Sequence, residues 1–305
     1  MRIAFAGTPN FAATVLRGLL SSAHQVGLVI SQPDPRKGRG RKTTRTPVAE
    51  LADSRNLALR QPAEISEISD TLSSYDALVV AAYGQILRPD TLYATTHGAY
   101  NVHASLLPAY RGAAPVERAI MNGETETGVT IMRMDEGLDT GPIALHRPVG
   151  IPPAMNAGEL TDLLAEIGAE AVVESLDLLQ VDALKLLDQD NLHATYASKI
   201  LDEDRVIDWA AGVREVHDLI RGLAPHIGAK TFLTDVAGPV KIWRSAMLDS
   251  EDTGEEVGRI QAENGRITVN CGDGRLEVLE LQAPGGRRLA AREFLLGNPL
   301  EGVFR

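Results

Sequence analysis

Arg2-Ile3-Ala4-Phe5-Ala6-Gly7-Thr8-Pro9 decides the fold class: an apolar run stops in a turn, after which Phe11, Val15 and Leu19 recur at helical spacing. Thr8 is placed to cap that helix, with Pro9 at its first position. Further apolar runs follow at residues 26–30, 77–82, 99–103 and 129–134, separated by helical or loop segments. This rhythm predicts an α/β fold, a doubly wound and mostly parallel sheet whose ligands sit beyond the carboxyl ends of the strands. Gly7 is followed by Thr8, Pro9 and Asn10, so the second glycine of a G-x-G-x-x-G dinucleotide fingerprint is missing and a nicotinamide cofactor loses its main support.

Leu160, Leu163, Leu164, Ile167, Val172 and Leu176 mark a long amphipathic helix over residues 158–179. Residues 191–208 then mix charged, small and aromatic side chains without a sustained period, the texture of a linker. After a helical stretch at 212–222, the tail breaks into short runs rich in β-formers at 230–233, 240–243, 266–269 and 276–281. The Asn264-Gly265 and Asp273-Gly274 pairs are hairpin signals. Chain length, 305 residues at about 150 per domain, fits two domains. The expectation is a catalytic domain at 1–190, a linker at 191–208 and a small OB-like β-barrel at 209–305.

Hydrophobic residues make up 44% of the chain and charged ones 23%, enough to build a packed core. The single cysteine, Cys271, cannot close an internal disulfide, which suits a reducing compartment. No apolar run approaches the roughly 18 residues of a membrane span, and the first residues lack a signal-peptide pattern, so a soluble, cytoplasmic protein without a membrane partner is expected. The formal charge of −11 argues at first against an anionic partner. That total conceals a division. Arg36-Lys37-Gly38-Arg39-Gly40-Arg41-Lys42-Thr43-Thr44-Arg45 carries +6, leaving −17 for everything else. Pro33, Pro35 and Pro47 around this run disfavour regular structure, and composition alone reads it equally well as a solvated loop. Residues 206–305 hold a net −3, with a net +2 between Arg259 and Arg292, so the barrel is not a uniformly basic platform.

Asn101-Val102-His103 ends an apolar run, and residues two apart on a strand face the same way, which aims an amide and an imidazole at one point. Taken alone, such a triplet is ordinarily an incidental polar group. Ser105-Leu106-Leu107-Pro108 and Tyr110-Arg111-Gly112-Ala113-Ala114-Pro115 follow as a loop of small residues and prolines around an arginine. Gly137-Leu138-Asp139-Thr140-Gly141 then brackets a carboxylate with glycines, a pattern that is usually turn chemistry.

Together these segments, with Glu126-Thr127-Gly128-Val129-Thr130-Ile131-Met132, the opening Phe5 to Pro9, Ala82-Tyr83-Gly84-Gln85 and Ala194 to Ile200, closely resemble the methionyl-tRNA formyltransferase family over nearly the whole chain. Tyr110 stands where many relatives carry a tryptophan before the arginine, and Ala99-Tyr100 is less apolar than usual. Neither departure touches the polar residues.

The resemblance implies formyl transfer from 10-formyltetrahydrofolate to the methionine α-amino group of initiator methionyl-tRNA. It implies Asn101, His103 and Asp139 as catalytic residues, and a folate site at Ser105, Leu106, Leu107 and Pro108 with Tyr83 beside it. Arg36, Lys37, Arg39, Arg41 and Lys42 are implied as tRNA contacts, Arg39 foremost. No metal is expected, and the protein is expected to act as a monomer. Two rivals stay open: a formyltetrahydrofolate-dependent enzyme acting on a sugar nucleotide or purine precursor, which would need neither the basic run nor the barrel, and a catalytically silent RNA-binding module, which leaves the three polar residues unexplained.

Overall fold

The computed structural model describes residues 1–37, 42–233, 236–248, 254, 256–298 and 300–305. It divides into two compact units, one made of Met1–Gly112, Glu126–Gly150 and Thr161–Ala197, the other of Ala113–Thr125, Ile151–Leu160 and Ser198–Arg305. The longer helices are α1 (Asn10–Leu20), α2 (Pro47–Ser54), α3 (Pro115–Met121), α4 (Ala157–Gln180), α5 (Val213–Leu223) and α6 (Ala291–Gly297).

In the first unit, strands β1 (Arg2–Gly7), β2 (Gln25–Ile30), β3 (Leu59–Arg60), β4 (Ala77–Ala81), β5 (Ala99–His103), β6 (Glu126–Arg133) and β7 (Ile143–Gly150) form one sheet. Their order is β7-β6-β5-β4-β1-β2-β3. The first five are parallel. Strands β6 and β7 add an antiparallel edge beside β5. The mostly parallel, doubly wound sheet is therefore as the sequence predicts, and the antiparallel edge is an addition to it. Every residue of β4 and five of six in β1 are buried, the continuous apolar run expected of a parallel strand covered on both faces. The order reverses between β1 and β4, which is where such sheets open a crevice at their carboxyl ends.

Thr8 does not cap α1. The helix begins at Asn10 with Pro9 in the cap position and no side-chain cap, and the Thr8 hydroxyl instead donates to the Tyr83 carbonyl at 3.1 Å, tying together the ends of β1 and β4. That backbone oxygen also accepts from Gln32 at 2.7 Å. The helix buries Phe11, Val15, Leu16 and Leu19 as the periodicity requires.

The second unit holds β8 (Ala229–Thr231), β9 (Val240–Met247), β10 (Ile260–Glu263), β11 (Arg266–Asn270), β12 (Arg275–Gln282) and β13 (Leu289–Ala290). They form an antiparallel sheet ordered β8-β9-β12-β11-β10, with β13 on β12. The last residues of the chain link its two ends. Ile260 donates to the Gly302 carbonyl, Phe304 to that of Gly258, and Phe232 and Arg305 exchange two hydrogen bonds. This closes the sheet into the small barrel that the sequence suggests. Trp209 stacks on Phe304 at 5.6 Å inside it, among buried Val240, Ile267, Leu276 and Val278. Asn264 and Gly265 both take positive φ between Glu263 and Arg266, the two-residue hairpin expected of that pair. Asp273-Gly274 lies in a longer connection between Asn270 and Arg275. There the Asp273 carboxylate accepts the Val213 N–H at 2.6 Å, capping α5 from outside because Gly212 has no side chain to do so.

Candidate active site

Strand β5 presents Asn101 and His103 on one face at its carboxyl end. Asn101 is half-buried and His103 is buried. The imidazole has an oxygen on either side. Its Nε2 lies 3.0 Å from the Tyr110 carbonyl, to which it can only donate, and its Nδ1 lies 3.8 Å from Asp139 Oδ2. The second distance is too long for a hydrogen bond but short enough for the carboxylate's field to reach the ring. Asp139 Oδ2 itself accepts the Gly112 N–H at 2.8 Å. The residues on either side of Arg111 thus touch the two candidate catalytic groups, Tyr110 through its carbonyl and Gly112 through its N–H.

Backbone geometry makes this possible. Tyr110 and Asp139 both lie in the left-handed region, with φ of 60° and 52°. Gly112 has φ 118°, and a Cβ there would sit 2.8 Å from the Ala197 carbonyl. Only glycine lets the Arg111–Gly112 segment pair with Tyr196–Ala197, as it does in parallel register. The tyrosine-for-tryptophan departure is harmless on this account, since position 110 contributes its carbonyl to His103. The loop carrying Asp139 is closed by Asp135, whose Oδ1 accepts from the Gly137 N–H at 3.0 Å and the Thr140 hydroxyl at 2.6 Å.

Ser105, Leu106, Leu107 and Pro108 leave β5 directly after His103. Thr130 of β6 pins them, donating to the Ser105 carbonyl at 2.6 Å and accepting from the Leu107 N–H at 3.0 Å. Ser105 Oγ donates to the Ala109 carbonyl at 2.6 Å. Ser105 and Leu107 are buried while Leu106 and Pro108 are half-buried, so the latter two give the loop its apolar rim. Tyr83 sits in the core with Ile65, Leu87 and Leu92. Its buried hydroxyl has no hydrogen-bond partner among the described residues, and burial together with the Glu67 charge pushes it up to about 12. Its backbone carbonyl, and not its hydroxyl, is the polar atom that joins the ends of β1 and β4.

Of the basic run, Arg36 and Lys37 pair antiparallel with Lys42 and Thr43, a short ladder where the flanking prolines argued against regular structure. Proline at 35 and 47 lies outside this ladder and removes none of its donors. Arg39 and Arg41 lie outside the described residues. Arg45, the sixth cation of the run, is committed to the protein: it bonds Asp34 at 2.9 Å, Gln61 at 2.6 Å and Asp53 at 2.5 Å. Burial alone would raise the Asp34 carboxyl, but hydrogen bonds from Gln61, Arg45 and the Thr46 N–H together hold it below its ordinary value. The base of the run is further fixed by Ser31 and Thr46, whose hydroxyls meet at 2.7 Å.

The sequence reading gave two neighbours of the site no role. The Arg111 side chain is buried and meets Gln189 and Asn191, while Gln189 in turn bonds the backbone of Asp139, 50 residues earlier. Arg111 stood out in its motif, but no local signal marks Gln189. Among the described residues, no group of three or more His, Cys, Asp and Glu is placed to hold a metal ion, and no helix is long and apolar enough to cross a membrane.

Residues 1–176 match the formyl transferase family and residues 199–299 the formyl transferase C-terminal domain. A methionyl-tRNA formyltransferase from Rubrobacter xylanophilus is 62% identical over 307 residues, covering all of both chains. Another from Pelotomaculum thermopropionicum is 41% identical over 99% of this chain and 98% of its own. Among solved structures, the N-formyltransferase of Helicobacter canadensis in complex with folinic acid and dTDP-3-aminofucose superposes with a TM-score of 0.68, covering 90% of this chain and 98% of that one. At 19% identity that likeness speaks for the fold alone. Identity of this extent across both units, on a chain whose Asn101 and His103 alternate on one strand end with Asp139 3.8 Å from His103, places the protein in the methionyl-tRNA formyltransferase family of formyl transferases.

Proposed function

We propose that the protein transfers a formyl group from 10-formyltetrahydrofolate to the methionine α-amino group of initiator methionyl-tRNA. The observation that carries this reading is the approach of Asp139 Oδ2 to within 3.8 Å of His103 Nδ1 at the carboxyl end of β5, in a chain 62% identical to a methionyl-tRNA formyltransferase. Residues 1–190 are assigned to catalysis, 191–208 to a linker and 209–305 to tRNA binding. On this reading the enzyme is cytoplasmic and works as a monomer.

The folate co-substrate supplies an activated formyl carbonyl. Ser105, Leu106, Leu107 and Pro108 fit a flat heteroaromatic ring: the half-buried Leu106 and Pro108 offer apolar surface, and the loop is held rigid by Thr130. Tyr83 shapes the wall through its backbone. Asn101 donates its side-chain N–H to the carbonyl oxygen as negative charge develops there, a contribution of about 3 to 4 kcal/mol at comparable sites. His103 exchanges its Tyr110 contact for the reacting centre and returns a proton to the leaving nitrogen. Asp139, held by the Gly112 N–H, orients and polarises the His103 ring, or alternatively collects the surplus proton of the amine through a water. An α-amino group has a pKa near 8, so a substantial fraction is neutral at working pH and the reading assigns no metal to its activation. Arg36, Lys37, Arg39, Arg41 and Lys42 engage tRNA phosphates.

Incubation with 10-formyltetrahydrofolate and either methionyl initiator tRNA or free methionine tests the assignment. Formylation of the charged tRNA is expected to dominate. Equal efficiency on free methionine would overturn it, and transfer to an amino-sugar nucleotide in place of the tRNA would favour the rival substrate class.

A further inference from the structure

Gln189 has every hydrogen-bonding valence of its amide satisfied around the Asp139 loop. Its Oε1 accepts from Arg111 Nε at 3.1 Å and Nη2 at 2.7 Å. Its Nε2 donates to the Asp139 carbonyl at 2.8 Å and to the Gly141 carbonyl at 2.7 Å. A guanidinium can only donate and a carbonyl can only accept, so the amide has one possible orientation. Arg111 is itself fixed, buried with Nη2 also 2.8 Å from Asn191 Oδ1.

These bonds close a ring through Asp139. From Arg111 the side chain runs through Gln189 to the backbone of Asp139, while the backbone runs one residue on to Gly112, whose N–H meets the Asp139 carboxylate. Asp139 has φ 52°, a left-handed conformation that is uncommon outside glycine although aspartate tolerates it. Gln189 bonds the carbonyls of both Asp139 and Gly141 and so holds the backbone in that conformation.

We propose that Gln189 is a positioning residue for formyl transfer, holding the Asp139 carboxylate against Gly112 and beside His103 by bridging the buried Arg111 guanidinium to the Asp139 backbone. The proposal rests on the functional reading above only for its kinetic consequence. The geometric consequence stands apart from it.

Gln189→Leu keeps the volume and removes all four bonds. Hydrogen exchange at the Gly112 amide reads the carboxylate's position directly, since that N–H bonds Asp139 Oδ2. Exchange is expected to accelerate to the rate seen in Asp139→Ala. In the transfer assay kcat is expected to fall by about 100-fold, the cost of a small misplacement of a catalytic group, with KM for methionyl-tRNA unchanged. The same substitution made in an Asp139→Asn background is expected to cost nothing further, because Gln189 acts through Asp139. A merely structural role would cost the same in both backgrounds. Gln189→Glu serves as a second variant: it keeps an acceptor for Arg111 but sets carboxylate oxygen against two carbonyl oxygens, and the same acceleration of Gly112 exchange is expected. Retained Gly112 protection in either variant, or additive losses with Asp139→Asn, would overturn the proposal. A wild-type protein inactive on methionyl-tRNA would count against the functional reading, while Gly112 exchange would still decide the role of Gln189.

Discussion

Asp139 Oδ2 faces His103 Nδ1 across 3.8 Å, and the hydrogen bond it makes goes to the Gly112 N–H at 2.8 Å instead. The carboxylate is therefore held by the loop around Arg111, and in the proposed mechanism it acts on the imidazole by its charge. Asp139→Asn preserves shape and removes that charge. The expected result is a fall in kcat of about 10²- to 10⁴-fold with a melting temperature close to wild type, read from steady-state kinetics alongside a thermal melt. Full activity in a folded Asn variant would remove Asp139 from the mechanism.

Gly112→Ala forces a Cβ to within 2.8 Å of the Ala197 carbonyl at φ 118°. A strained residue of this kind costs about 1 to 3 kcal/mol, to be measured by urea denaturation. Because the Gly112 N–H also meets Asp139, kcat should fall as well. A variant with lower stability but unaltered kcat would show that the strain at residue 112 does not reach the Asp139 carboxylate.

Asp34 anchors the foot of the basic run through Arg45, Gln61 and the Thr46 N–H. Its carboxyl titrates below its ordinary value in the folded protein, so its stabilising contribution is present above the unfolded value of about 4 and is lost as pH falls through the lower folded value. The melting-temperature gap between wild type and Asp34→Asn should accordingly be widest near neutrality and close in strong acid. A gap that grows on acidification has the wrong sign for this account.

Arg39→Ala should raise KM for methionyl-tRNA and make kcat/KM less sensitive to salt, the slope of its logarithm against that of salt concentration shrinking by about 0.9 for each phosphate that is no longer neutralised. Arg45→Ala should lower the melting temperature instead, because its guanidinium is committed to Asp34 and Asp53. An unchanged salt slope in Arg39→Ala would remove the run from tRNA binding.

Much of this was legible in the chain because local patterns carried it. The parallel strands are unbroken apolar runs, as in Ala77–Ala81, and Asn264-Gly265 dictates its own turn. Asn101 and His103 were readable as a pair because alternation along a strand puts them on one face. What escaped reading depends on long-range partners. Thr8 has the chemistry of a helix cap, but the Tyr83 carbonyl, far along the chain, claims its hydroxyl. The barrel's closure lies in a few terminal residues whose pairing has no periodic signature. Arg45 reads as one more cation of a basic run until Asp34, Asp53 and Gln61 are seen around it. Gln189 is an unremarked polar residue until the fold delivers Arg111 and Asp139 to its two ends.

If β5 and its following loop carry the chemistry while the basic run engages tRNA, His103→Ala separates the two. Formylation of methionyl initiator tRNA and the affinity for that tRNA should be measured on the same preparation. Turnover is expected to vanish while binding stays at the wild-type level. Weakened binding with chemistry intact at saturating tRNA would contradict the assignment.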